Sequence, residues 1–128
     1  MLNDPLAATL AKINNAERVG KKEVVVRPAS KMIKKVLSIM NEHRYVGACE
    51  EMEDDPTSLK INLLGSINKC NVIKPRFSTK HSMFTKWEKR YLPAKDFGII
   101  IVSTPQGVMT HTEAKKKGIG GKLIAYCY

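Results

Sequence analysis

The fold of the C-terminal part can be predicted from residues 99–128, which have the sequence IIIVSTPQGVMTHTEAKKKGIGGKLIAYCY. Residues 99–102 are the most apolar strand of the protein, and TPQG follows with Pro105 and Gly107 at positions that a β-turn favours. A final strand of alternating residues is predicted at 122–128. The C-terminal part is therefore predicted to be mainly antiparallel sheet. The hydroxyl-bearing residues, glycines and lysines around its turn are candidates for a functional site.

A short helix is predicted between these strands. Thr110 and Glu113 have the spacing of a capping box, and Gly118 is placed to end the helix in a left-handed conformation. The three lysines at 115–117 then occupy the last turn of this helix.

The N-terminal half has the pattern of an α-β-α-β-β unit. Asp4 and Pro5 are predicted to open the first helix, because a carboxylate caps free N–H groups and proline suits the first turn. Pro28 and Ser30 open the second helix in a similar way. The predicted elements are a helix at 4–17, a strand at 23–27, the helix that starts at 28–30, and strands at 45–52 and 58–64.

The predicted fold class is α+β, with two closely packed small subdomains. Residues 1–65 form the N-terminal α/β subdomain, and residues 66–128 form a basic, β-rich subdomain that binds RNA. The segment 78–98 is predicted to be mixed turn and short helix packed on the sheet. Its Phe84, Trp87 and Tyr91 either stack on bases or, as is more common for such aromatics, complete the core.

Positive charge is concentrated in the C-terminal half. The chain has 22 Lys and Arg against 12 Asp and Glu, a formal net charge of +10. Residues 1–65 carry 10 basic and 9 acidic residues, whereas residues 66–128 carry 12 basic and 3 acidic residues. Such an imbalance indicates a polyanionic partner for the second half.

Several classes of function are disfavoured by the sequence. No apolar run reaches the ~18 residues of a membrane helix, and the N-terminus lacks the pattern of a secretory signal, so a cytoplasmic protein is expected. Three cysteines and three histidines have no spacing typical of disulfides or of a metal site. GIGGKL at 118–123 matches neither the P-loop nor the dinucleotide fingerprint. We expect no metal, no cofactor, no membrane and no small-molecule substrate.

A small hydrolase is the alternative from a different class. It would use Ser103 as nucleophile and His111 as base. The residues around Ser103 do not form GxSxG, and no acid that would orient His111 is evident in the sequence. We therefore expect no catalytic residues.

RNA binding accounts for the same residues more fully. Ser103, Thr104 and Gln106 would present rigid donors and acceptors at the turn, suited to base edges and ribose hydroxyls. The glycines that would leave room for RNA to approach are Gly107, Gly120 and Gly121. The alternative is that the hydroxyl residues only build a turn and that the lysines only complement a helix dipole.

Basic residues elsewhere have the same two interpretations. Lys74, Pro75 and Arg76 form a stiff basic tip that would contact phosphates. A second candidate for phosphate contacts is the helix face with Lys31, Lys34 and Lys35, although such a face is commonly only solvated.

The stretch from Gly98 to the C-terminus resembles the signature of the universal small-subunit ribosomal protein eight family. That signature has a glycine, an apolar strand, Ser-Thr-x-x-Gly, two apolar residues, four further residues, then alanine and a basic residue; every position is filled here. NDPLAATLAKINNA at 3–16 is similar to the first helix of the family, and RPASKMIKKVLSIMNEHRYVG at 27–47 to the second helix and the strand after it. The resemblance covers practically the whole chain.

The resemblance implies a primary ribosomal-RNA-binding protein without cofactor or catalysis. It would dock on the central domain of small-subunit RNA, help to assemble the platform and contact neighbouring ribosomal proteins. Ser103, Thr104 and Gly107 would meet an irregular internal loop of the RNA, with Gly120 and Gly121 close by. Contacts with the sugar-phosphate backbone are implied for Asp4, Pro5, Asn15, Ser30, Lys31, Lys74 and Arg76.

Three features distinguish the chain from typical bacterial members. The segment 80–96 is longer than in those members and looks like the archaeal and eukaryotic branch. Pro105 stands where bacterial members commonly have another serine. Lys115 and Lys116 are often arginine in other members, and arginine would bind phosphate in a bidentate way. A translational regulator that binds a messenger RNA through the same surface is the nearest alternative function.

Overall fold

A computed structural model gives the structure of the protein, and it describes residues 5–26, 30–52, 54, 58–74, 76–94 and 97–128. The elements are, in chain order, α1 (Pro5–Arg18), β1 (Glu23–Val26), α2 (Lys31–Glu42), β2 (Val46–Glu51), β3 (Leu59–Leu63), β4 (Cys70–Val72), β5 (Ser78–Thr79), a 3-10 turn (His81–Met83), α3 (Phe84–Tyr91), β6 (Ile99–Thr104), β7 (Gly107–Thr110), α4 (His111–Lys117) and β8 (Gly121–Cys127). They form two compact units, residues 1–71 and 72–128. The α+β fold class with two subdomains is confirmed.

The N-terminal unit has the predicted α-β-α-β-β order. Its sheet has the strand order β1-β3-β2, and both pairings are antiparallel. Ser30 caps α2, because its Oγ accepts a hydrogen bond from the Ile33 N–H at 3.2 Å. Residues spaced three and four apart bury one face of each helix: Leu6, Leu10 and Ile13 on α1, and Ile33, Val36, Leu37 and Met40 on α2.

The larger sheet has the order β4-β8-β6-β7, with β5 also paired to β8. A bulge between Ile101 and Val102 shifts the register of β6 against β8. The buried cluster of this unit joins residues of β6 and β8 to the aromatic side chains of α3 and to Ala114 of α4. The predicted packing of the segment 78–98 on the sheet is confirmed, and Phe84 and Trp87 belong to the core.

The strand before the hairpin is longer than the sequence predicts. β6 extends over Ile99–Thr104, so Ser103 and Thr104 lie within the strand and not beyond it. They pair with Val108 and Gly107, because only Pro105 and Gln106 are needed to connect the strands.

Some predicted features lie outside the described residues: the helix cap at Asp4, Pro28 at the start of the second helix, and Pro75 in the basic tip. No helix in the described part of the chain combines the length and apolarity needed to cross a membrane.

Candidate nucleic-acid interface

The hydroxyl of Thr104 builds the hairpin turn. Its Oγ1 donates to the Gly107 carbonyl at 2.7 Å and accepts from the Gln106 N–H at 3.2 Å. The side chain is only 8% exposed, so the expectation of an exposed hydroxyl at this position is wrong. The hydroxyl fixes the shape of the turn, while the Gln106 side chain is exposed at its tip.

Ser103 lies in a row of residues across four strands. It is paired with Val108 on β7 and with Lys122 on β8, and Lys122 is paired with Ser78 on β5. Paired residues of antiparallel strands share a face, and their Cβ atoms are about 4.5–5.5 Å apart. We call these four residues the Ser103 row.

The Ser103 row lies on the face opposite the hydrophobic cluster. The next residues along β6 and β8, Val102 and Leu123, are fully buried in that cluster. Because side chains alternate along a strand, the row points away from it, with Lys122 exposed and Ser103 half-buried. A hydroxyl donor beside an ammonium is thus held on a rigid ladder, which suits a ribose-phosphate backbone.

Gly120 and Gly121 serve the protein's own packing. A Cβ on Gly121 would lie 2.2 Å from the Ser103 carbonyl oxygen, and a Cβ on Gly120 would lie 2.2 Å from that of Thr79. The expectation that these glycines leave room for RNA needs this correction, because the space is occupied by neighbouring backbone. Gly107 is different: nothing lies within 4 Å, and its φ of +118° is what favours glycine.

Helix α4 is capped at both ends as predicted. Thr110 Oγ1 accepts from the Glu113 N–H at 3.3 Å, and Gly118 ends the helix with a φ of +68°. Two of its three lysines, Lys116 and Lys117, are exposed. They extend the positive charge next to the strand that carries Lys122.

The third lysine belongs to a buried polar cluster that the sequence did not reveal. Lys115 Nζ bonds Glu88 Oε1, and His111 Nε2 lies 3.0 Å from the same oxygen. Glu88 is 4% exposed and His111 is 3% exposed. The signal that could have found the cluster is Glu88 itself, the one acid on an otherwise basic amphipathic helix, one residue after the buried Trp87.

His111 cannot act as a base toward Ser103. Its Nδ1 accepts a hydrogen bond from the Ile100 N–H at 3.1 Å. The neutral ring therefore carries its proton on Nε2, which donates a hydrogen bond to Glu88. Burial lowers the pKa of His111, and the charge of Lys115 acts in the same direction against the opposing attraction of Glu88. Both ring nitrogens are occupied in the core, which argues against the Ser103–His111 hydrolase.

The other predicted contact residues belong to segments of the chain outside the hairpin. Lys74 and Arg76 are exposed in the C-terminal unit. In the N-terminal unit the exposed residues among those predicted are Pro5 and Asn15, at opposite ends of α1, and Ser30 and Lys31, at the start of α2. Asp4 is outside the described residues.

The lysine face of α2 is partly neutralised. Lys34 Nζ lies 2.9 Å from Glu51 Oε1 on β2, so it is held toward a carboxylate of its own unit. Lys31 and Lys35 remain exposed on the same helix. The described residues contain no group of three or more His, Cys, Asp or Glu that could hold a metal ion.

A comparison with protein families gives a match over nearly the whole sequence. The model of the family described as Ribosomal protein S8 matches residues 4–128. The matched region includes α1, α2, the β6–β7 hairpin and the Ser103 row. It therefore covers every residue for which an RNA contact is predicted.

Proposed function

Since this chain belongs to the ribosomal protein S8 family, and is thus a structural, rRNA-binding protein of the small ribosomal subunit, we propose that it binds the central domain of the small-subunit RNA directly and helps to assemble the platform. It acts there as a scaffold and not as an enzyme, in the cytoplasmic ribosome, beside other small-subunit proteins. We assign it to the archaeal and eukaryotic branch because of the long segment 80–96.

The observation that carries this proposal is the Ser103 row beside the rigid hairpin. The Thr104 bonds fix the turn before any partner binds, so little ordering entropy is lost on binding. The Ser103 hydroxyl can then hydrogen-bond groups that an irregular RNA helix exposes, and the Lys122 ammonium can contact its phosphates.

In this proposal the remaining predicted residues contact the RNA backbone or help to position residues that do. Lys74 and Arg76 extend the basic surface of the C-terminal part, the proposed RNA-binding subdomain at 66–128. Gly120 and Gly121 contribute indirectly, because they let β8 approach Thr79 and Ser103 closely enough to place Lys122. Asp4, Pro5, Asn15, Ser30 and Lys31 are assigned to contacts with the sugar-phosphate backbone.

The test compares Ser103→Ala with Ser82→Ala, which removes an exposed hydroxyl elsewhere in the same unit. Binding is measured to a central-domain hairpin of small-subunit RNA and to an unrelated RNA duplex, over a series of salt concentrations. We expect Ser103→Ala to lose about 1–3 kcal/mol on the central-domain hairpin only, because a hydrogen bond to a closely fitted partner is removed. Ser82→Ala should bind both RNAs as the unaltered protein does.

Equal affinity of the unaltered protein for both RNAs, governed by salt alone, would contradict the proposal. The basic half would then be a general polyanion surface. Co-sedimentation with small subunits separates the ribosomal role from the regulator of messenger RNA, because a regulator alone would stay in the unbound fraction.

A further inference from the structure

A cation on α3 is held over three aromatic rings outside the Ser103 row. Arg90 Cζ lies 5.2 Å from the ring centroid of Phe77, 5.6 Å from that of Trp87 and 5.5 Å from that of Tyr91. Phe77 and Trp87 are themselves stacked, with centroids 5.0 Å apart and planes at 24°. Such an arrangement restricts the guanidinium by cation–π attraction and leaves its outer side in solvent.

The exposed charges of α3 have one sign. The exposed charged residues of α3 are Lys86, Lys89 and Arg90, and Lys86 Nζ lies 5.5 Å from the Trp87 ring. The only acid of the helix, Glu88, is buried and engaged by His111 and Lys115. Within the described residues no carboxylate forms an ion pair with Arg90.

We propose that this face of α3 is a second RNA-binding surface, which takes an unpaired nucleotide with its base stacked on the Arg90 guanidinium. Lys86 and Lys89 contact the phosphates on either side. The inference rests on the RNA-binding function proposed above and adds to it a separate site with a different mode of recognition.

Stacking is the mode that the geometry favours. Arginine guanidinium planes stack on splayed-out bases of single-stranded RNA, and a guanidinium already held on aromatic rings loses little entropy when a base covers it. Trp87 is only 8% exposed, so the base is expected to meet Arg90 and not the indole directly. The carboxylates of an acidic peptide would bind the edge of the guanidinium and leave its exposed face uncovered.

The α3 surface and the Ser103 row lie on different sides of the C-terminal sheet. Helix α3 buries Phe84 and Trp87 in the cluster with Val102 and Leu123, whereas the Ser103 row alternates to the opposite face. One straight RNA helix cannot cover both faces. The second surface therefore fits a separate single-stranded segment or a bulged nucleotide.

The experiment uses the full chain with a twelve-nucleotide oligouridylate and with an abasic oligonucleotide of the same length and charge. Trp87 is the single tryptophan of the chain, so its fluorescence reports on this surface. We expect oligouridylate to change the Trp87 emission saturably, and Arg90→Lys to weaken that binding about five- to tenfold, since the charge stays and the plane is lost. Arg18→Lys, at an exposed arginine of α1, is the matched control and should bind as the unaltered protein does.

Each of three results would overturn the inference. The first is that Arg90→Lys binds oligouridylate as tightly as the unaltered protein, and the second is that it weakens binding of the abasic oligonucleotide to the same extent. Displacement of oligouridylate by an equally charged oligoglutamate peptide at the same concentration would also overturn it, in favour of an acidic protein partner. Circular dichroism of Arg90→Lys checks that the variant is folded.

Failure of this inference is distinguishable from failure of the proposed function. Ser103→Ala affects the central-domain hairpin and should leave the oligouridylate response of Trp87 unchanged. Arg90→Lys should weaken the oligouridylate response of Trp87 and leave binding of the central-domain hairpin unchanged.

Discussion

Thr104 shows how one hydroxyl shapes the proposed binding surface through bonds within the protein. It donates to Gly107 and accepts from Gln106, so both of its hydrogen-bonding roles are satisfied inside the turn. The neighbouring hydroxyl, on Ser103, is half-buried and lies beside Lys122. Two adjacent residues of similar chemistry therefore differ in role: Thr104 shapes the hairpin, and Ser103 is the residue that we propose contacts RNA.

Replacement of Thr104 tests this division. Thr104→Val should lower the free energy of unfolding by about 1–2 kcal/mol, because the Gln106 N–H and the Gly107 carbonyl lose their partner. Thr104→Ser keeps the hydroxyl and should lose less than half of that. Urea unfolding of the two variants provides the measurement; equal stability of Thr104→Val and the unaltered protein would show that the turn holds without the hydroxyl.

At the scale of elements, the Glu88–His111–Lys115 cluster connects the two helices that cover the C-terminal sheet. Glu88 comes from α3, and His111 and Lys115 come from α4. His111 also reaches β6 through the Ile100 N–H. Helix α4 has only 7 residues, too few to be stable alone, so this cluster and the buried Ala114 contribute to its position.

Acid should weaken this connection. The pKa of His111 is lowered in the folded protein from the ordinary value of 6.5, so between that value and the folded pKa the unfolded chain binds more protons. Stability is therefore full above about pH 6.5 and is lost as the pH falls through this window, by at most about 1.4 kcal/mol per pH unit for one group.

Urea unfolding at pH 7.5, 6.5 and 5.5 measures this effect. His111→Gln should flatten the pH dependence, whereas His81→Gln, at an exposed histidine, should leave it unchanged. The same slope in His111→Gln and the unaltered protein would assign the dependence to other groups.

At the scale of the whole molecule, the two halves differ in charge and therefore in their electrostatic role. Residues 66–128 carry 12 basic and 3 acidic residues, while residues 1–65 are nearly balanced. The proposed binding of RNA by the C-terminal half should release counterions, which would make the affinity depend steeply on salt.

Matched lysine substitutions in the two halves test this asymmetry. We expect the exposed Lys117 to contact one phosphate, so Lys117→Gln should reduce the slope of log K against log salt by about 1 for the central-domain hairpin. Lys21→Gln, at an exposed lysine of the N-terminal half, should change the slope by much less. Equal changes would mean that the charge of both halves acts as one nonspecific field.

Features that depend on neighbours in the chain could be predicted from the sequence. Ser30 and Thr110 cap helices, and Gly118 ends one, because each acts on backbone groups within a few residues. The order of helices and strands in the N-terminal unit follows from apolar periodicity, which each segment carries by itself. Strands β4 and β5, of three and two residues, are too short to show a period. The signature at residues 98–128 also placed the candidate site at the β6–β7 hairpin.

Only the tertiary structure decided which groups meet across the fold. Glu88 and Lys115 are 27 residues apart, and Gly121 needs to be glycine because the Ser103 carbonyl lies against it. Arg90 covers rings that come from both α3 and the segment before β5. Such contacts depend on strand register and helix packing, which the local pattern of residues does not specify. Capping, turns and periodicity depend only on residues close in the chain, so they can be predicted from the sequence.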